Sequence, residues 1–363
     1  MEWKGRKVLA LAVCLGLNIV QTYAAPAPEV PVYRSFKDWE VGCDNTRRCT
    51  AIGLQPEDYA AVTAFLRVER AADGLAPPVV RILLAKEGLA PGDPVTLTMD
   101  GGPIQGVPSQ RTIDSLESEV AYPSIRLAAN ETTPFFHALR SGKRLQLTVD
   151  HATRAEISLD GAVAALLFID DVQGRLDTVT AFIRRGLQAA PAAPAPEVPE
   201  VTPRPAADGE TVAENFAATV GRRMARGGGE CEDVSNAQAY PLGGGRVLVG
   251  LPCESGAYNF ATEYAVAEVD DAHHLQPAAF PQPGETGRAA TTSVLYGSDV
   301  DVRSGQVSSF SRGRGPGDCG SRAVYAWTGE QFATVSFATL RECRGVPDPF
   351  WPVLWRSKIV GAP

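Results

Sequence analysis

The residues of this chain best suited to covalent chemistry are its seven cysteines. Cys14 lies in an N-terminal apolar run, while Cys43, Cys49, Cys231, Cys253, Cys319 and Cys343 are spread over the rest. An even set of thiols in an exported chain reads as disulfides, because an oxidising compartment both forms and preserves them. Six cysteines allow many connectivities. The most local one is expected: Cys43 with Cys49, Cys231 with Cys253, and Cys319 with Cys343. A zinc site would want CxxC or CxxC/HxxxH clusters, and the sequence holds none.

Charged clusters come next. His273-His274 with Glu268, Asp270 and Asp271 is the one grouping of imidazoles and carboxylates in the sequence. Neighbouring residues on a strand point to opposite faces, and no third spaced ligand follows. A solvated polar loop before Pro277 is therefore expected, with no metal and no cofactor. The segment from Arg312 through Gly313, Arg314, Gly315, Pro316, Gly317 and Asp318 to Cys319 and Gly320 offers backbone amides and two guanidinium groups to an anion or partner. It lacks the Lys-Ser/Thr end of a phosphate loop, and its plainer reading is a tight glycine loop in which Asp318 bonds local amides. Between Cys43 and Cys49, Asp44, Asn45 and Thr46 suit a turn, which leaves Arg47 and Arg48 as candidate partner contacts. Asp170, Asp171, Gln173 and Arg175 form a polar end to an apolar helix. The two aspartates diverge there, so a buried carboxylate–arginine contact or solvation is expected, not an acid/base pair. Trp351 and Trp355 read as core that docks the C-terminus before they read as an exposed aromatic surface. No GxSxG, SxxK or HExxH pattern occurs, so no catalytic residue is assigned.

The elements that must position these groups fall into two stretches. Residues 188–209 carry six prolines among alanines, which predicts an extended spacer between a domain at 32–187 and another at 210–360. The first reads as strands around Phe36–Val41, Ala60–Arg70, Val79–Ala85, Val95–Met99, Ile125–Ala128, Leu145–Val149 and Glu156–Leu159. A helix capped by Thr133 with Pro134 at its first position is expected among them. Two more helices should follow, capped by Asp160 and by Asp177. The second domain opens with a helix whose face carries Val212, Phe216, Val220 and Met224, stopped by Gly227-Gly228-Gly229. Hairpin patterns continue from there. One of them turns at Thr328–Gln331 and would be clamped at its base by Cys319 and Cys343. The fold class expected is α+β and β-rich: an N-terminal β-sandwich-like domain with C-terminal helices, then a mainly antiparallel β domain opened by a helix.

The address is written in the first 24 residues. Lys4, Arg6 and Lys7 precede an apolar run from Val8 to Val20, and Thr22-Tyr23-Ala24-Ala25 offers the small residues a signal peptidase reads. As a helix that run spans about 20 Å, short of the roughly 30 Å of a hydrocarbon core, so cleavage is expected instead of anchoring. Acylation at Cys14 would want a smaller residue before it than Val13. The leader holds +2 of a formal −8, leaving about −10 for the mature part. An acidic chain without clustered Lys/Arg argues against nucleic-acid binding. With 44% hydrophobic and 21% charged residues, global disorder is excluded as well.

Four segments resemble a known family. These are Phe36–Ala51 with its Trp39–Cys43 spacing; Ile157–Ala162 followed by Ala165–Arg175; Gly313–Gly320; and Glu342–Val346. In this order they are similar to the exported proteobacterial family catalogued as domain of unknown function 1176. The first domain also resembles the invasion-associated locus B proteins. The resemblance implies an exported β-rich fold and transfers no chemistry. The expected function is that of a periplasmic monomer that binds an envelope protein or cell-wall component, without stable membrane insertion. The alternative is a hydrolase with an unfamiliar site between the domains or near Asp318.

Overall fold

The computed structural model describes Met1 and residues 28–57, 63–85, 88–117, 122–149, 153–190, 197–226, 231, 233–253, 256–284 and 290–361. The expected leader, the expected strand start at Ala60–Val62 and the glycine triplet at 227–229 lie outside them.

The first lobe is built from β1 (Val32–Phe36), β2 (Trp39–Cys43), β3 (Cys49–Gly53), β4 (Ala64–Arg70), β5 (Val79–Leu84), β6 (Pro94–Met99), β7 (Gln110–Thr112), β8 (Ser115–Glu117), β9 (Tyr122–Arg126), α1 (Ala129–Leu139), β10 (Arg144–Val149), β11 (Thr153–Ser158) and α2 (Ala162–Val172). Seven strands order as β1-β2-β3-β4-β5-β9-β8, and four as β11-β10-β6-β7. Val68 and Ile82 of the larger sheet share one core with Leu97 and Leu147 of the smaller, and Phe135 of α1 and Ile169 of α2 join it. Strand alternation explains this, since every second residue turns to that core.

Two helix starts differ from expectation. α1 begins at Ala129, not after Thr133, because the Glu131 carboxylate accepts from the Ala128 amide at 2.8 Å and supplies the cap. Pro134 consequently lies inside the helix. α2 starts behind Gly161, not at an Asp160 cap. Gly161 holds φ +96°, and a Cβ there would overlap the Phe36 carbonyl. Asp160 instead pairs with Lys37 at 2.8 Å. The helix expected from Asp177 does not form. Asp177 adopts φ +62°, and the Phe182 and Ile183 amides are given to the buried Asp170 carboxylate at 2.7 and 3.4 Å. Residues 174–190 therefore run as turns.

The second lobe contains β12 (Glu200–Val201), α3 (Phe216–Arg226), β13 (Gln238–Gly243), β14 (Arg246–Pro252), β15 (Ala261–Glu268), β16 (Asp271–Pro277), β17 (Phe280–Gln282), β18 (Ala290–Thr292), β19 (Val294–Tyr296), β20 (Asp299–Asp301), β21 (Gln306–Arg312), β22 (Gly320–Trp327), β23 (Phe332–Leu340), β24 (Val353–Arg356) and β25 (Lys358–Ile359). One antiparallel sheet runs β13-β14-β15-β16 with β19 beside β15, and another runs β20-β21-β22-β23-β24. Phe216, Val220 and Met224 of α3 pack on Val247, Val249 and Leu251 of β14. The molecule is thus β-rich with three helices among the described residues.

The spacer is not free along its length. β12 pairs in parallel with β25, the Arg204 amide donates to the Trp327 carbonyl at 2.7 Å, and Val201 is buried. The lobes meet as well. Ile52, Leu54, Phe65 and Leu83 of the first share a core with Leu340, Val346, Phe350 and Trp351 of the second. Gly42 lets β24 approach, since a Cβ there would lie 2.6 Å from Pro352 Cβ and 2.9 Å from Leu354 Cδ2.

Candidate functional site

The cysteines pair as 43–49, 231–253 and 319–343. Cys43 and Cys49 face each other across β2 and β3, and Cys319–Cys343 spans the base of the β22–β23 hairpin.

The charged residues around these bridges act as joints. Asp44, wholly buried, accepts the Thr46 and Arg48 amides at 2.8 and 3.0 Å through Oδ1, while Oδ2 takes the Arg356 guanidinium from the other lobe. Arg47 donates to the Val172 carbonyl at 2.6 Å and so ties the β2–β3 turn to the end of α2. Arg48 is exposed. In the glycine loop, Arg314 Nε donates to Asp318 Oδ1 at 2.7 Å and the Gly345 amide to Oδ2 at 2.6 Å. Burial alone would raise the Asp318 carboxyl; those two donors bring it below its usual value. The Arg312 backbone is held from both sides by Asn259, and the Arg312 side chain lies over the Phe310 ring. Several of the loop's amides are thereby spent: Gly313 donates to Cys319 and Gly317 to Arg314.

His273 and His274 lie on β16, a strand and not the expected loop, where both are exposed and His273 meets Arg223. Among the described residues no group of three His, Cys, Asp or Glu could hold a metal ion. Nor does any helix among them have the length and apolarity to cross a membrane. Trp351 is buried with its indole donating to the Val346 carbonyl at 2.8 Å.

The end of α2 gathers a different set. Arg70, at the end of β4 and 3% exposed, bonds Asp170 at 3.0 Å and lies 4.2 Å from the Phe182 ring centroid. Arg175 is wholly buried and satisfied by oxygens, among them the carbonyls of Gly74 at 2.7 Å and Asp73 at 2.5 Å. Burial pushes the Asp170 carboxyl up to about 6, against the pull of Arg70 and the Phe182 and Ile183 amides. Arg70 is pressed down to about 9 by burial and by Arg175 beside it. Two buried guanidinium groups face one buried carboxylate here, with the exposed Asp73 also acting on Arg175.

Above it opens a cleft of about 310 Å³ between α1 and the turns at 180–185. Arg70 lies in its wall, and its Nε has no hydrogen-bond partner among the described residues. Phe136 and Phe182, their centroids 4.6 Å apart, contribute apolar surface. At the rim stand Arg140, Arg184, Arg185 and His137, all exposed. Asp177 neutralises Arg184 at 2.8 Å. Among the described residues no carboxylate pairs with Arg140 or Arg185. Apart from the Asp170–Arg175 end of α2, none of these residues was a candidate site residue in the sequence; Arg70 figured only as a strand end and Asp177 only as a helix cap. Arg70 and Arg184 lie far apart in the chain, and an Asp177-capped helix would have placed Arg184 and Arg185 differently.

A family model described as "Protein of unknown function (DUF1176)" matches residues 33–358. The uncharacterized protein YpfG of Escherichia coli (strain K12) is 29% identical over 350 residues, covering 90% of this chain and 94% of its own. The crystal structure of invasion associated protein B from Bartonella henselae aligns over 39% of this chain and 99% of its own, with TM-score 0.30 and 18% identity.

Proposed function

This chain belongs to the DUF1176 family of proteins of unknown function, and from that premise we propose that it is an exported binding module for a component of the cell envelope. The observation that carries the reading is the cleft over Arg70. Small-molecule sites are concave, largely apolar and carry a few converging polar groups, and about 310 Å³ with two phenylalanines and a ring of cations fits that description. Three disulfides and the charge pattern of the first 24 residues support export. The joints built by Asp44, Asp318 and the shared core support a rigid scaffold that presents a preformed site.

The test is retention. The oxidised mature protein is incubated with solubilised envelope extract, washed and read by native mass spectrometry. A bound mass is expected on the wild type and absent after Arg140→Glu with Arg185→Glu. Equal retention by both proteins, or none by either, refutes a ligand site in this cleft.

A further inference from the structure

Resting on that reading, we infer that the cleft takes an amphipathic anion: one carboxylate or phosphate head joined to an acyl or aryl body. Two properties of the wall require the two halves of such a ligand. The first is uncompensated charge. Four arginines line the cleft; Asp170 offsets Arg70 at 3.0 Å and Asp177 offsets Arg184 at 2.8 Å. Among the described residues no carboxylate pairs with Arg140 or Arg185, and Arg185 spends one nitrogen on the Val179 carbonyl at 2.9 Å. Guanidinium groups match carboxylate and phosphate oxygens in pairs, and half-buried walls strengthen that attraction relative to open water.

The second property is the apolar surface beneath them. Phe136, Phe182, Ile183, Ala181 and Pro78 supply it. A small hydrophilic anion would satisfy the arginines and leave this surface wet. A neutral hydrocarbon would cover the surface and leave the two exposed rim guanidinium groups without a counter-charge. Only a molecule with both parts meets both demands. The exposed Thr133 hydroxyl at the rim adds a further donor for the head. The chain as a whole is acidic at −8, so an anion would be drawn here by local charge and not by the molecule's net field.

Calorimetric titration of the oxidised mature protein decides the matter. Decanoate and decyl phosphate should bind about tenfold or more tightly than acetate and inorganic phosphate, a difference that burying an alkyl chain readily supplies. Decyltrimethylammonium should not bind. Arg140→Glu and Arg185→Glu, both at exposed positions, should each weaken decanoate by about tenfold while leaving the melting temperature in place. Co-sedimentation with phosphatidylglycerol vesicles separates the sources. Arginine-dependent pelleting places the ligand in a bilayer, and decanoate binding without pelleting makes it a free amphiphile. If acetate and phosphate bind as tightly as their decyl forms and still need Arg140 and Arg185, the amphipathic inference falls while the anion cleft stands. If no anion binds, or the glutamate variants bind equally, the cleft itself is not the site.

Discussion

Glu40 lies in β2 on the face turned toward the second lobe and has no exposed surface. Ser35 donates to it at 3.0 Å, yet burial raises its carboxyl above the ordinary value, with Glu342 adding to the effect and Tyr33, Ser35 and Arg341 opposing it. A carboxyl whose pKa is raised on folding contributes its stability below the unfolded pKa and loses it as pH rises through the folded value. Glu40→Gln keeps the shape without the charge. Urea denaturation across pH 4 to 8 should therefore show the variant gaining on the wild type as pH increases, and a constant difference would contradict the raised pKa. At Asp44 the carboxylate is the acceptor that several donors need. Asp44→Ala strands the Thr46 and Arg48 amides, the Thr46 hydroxyl and the Arg356 guanidinium. A loss of roughly 3–5 kcal/mol is expected from the urea midpoint, as for other broken buried pairs. A loss below about 1 kcal/mol would mean that water replaces those bonds.

Among the elements, β3, β4 and β5 carry the join between lobes, and their sequence already contained the sign of it. Ala64, Leu66 and Val68 turn to the first core by strict alternation, but Phe65 between them is apolar too, as is Leu83 opposite it in the register. A strand apolar on both faces is covered on both. Read for periodicity alone, the stretch marks a strand and says nothing about what covers its second face. The three local disulfides and most strands were legible for the same reason: alternation and turn residues are local. The cleft was not, because it depends on Asp170 competing for the Phe182 and Ile183 amides, a contact twelve residues away that overrides helical propensity. The shared core makes a prediction at this scale. Leu340→Ala in β23 removes a fully buried side chain and should cost about 3 kcal/mol. Because Leu340 shares one core with Ile52 and Phe65, hydrogen exchange should also accelerate in β3 and β4. Acceleration confined to β22–β24 would mean that the lobes fold independently.

At the scale of the whole molecule, the connection between lobes is redundant with their contact. The described residues Leu187, Gln188, Ala189, Glu197 and Val198 are exposed, whereas from Pro199 onward the chain docks on the second lobe through β12, Val201 and the Arg204 amide. Limited proteolysis should thus cut between Ala189 and Val198 and spare residues 199–206, since cleavage needs backbone that is not already bonded and buried. No disulfide crosses that interval, because 43–49 lies before it and the other two bridges after it. Among the described residues a nicked chain is therefore held by the seam, which includes the core of Ile52, Phe65, Leu340 and Trp351, the Asp44–Arg356 and Asp38–Arg344 pairs, and Asn45 bonded to the Arg356 backbone at 2.9 and 3.0 Å. Core packing flanked by partly buried ion pairs is the composition of stable interfaces, so the two fragments should elute together in gel filtration after a non-reducing digest. Raising the salt should leave them together, as apolar contact is not screened, whereas adding Leu340→Ala, which empties part of that contact, should let them part. Fragments that separate without the substitution would show that the spacer, not the seam, holds the lobes in register.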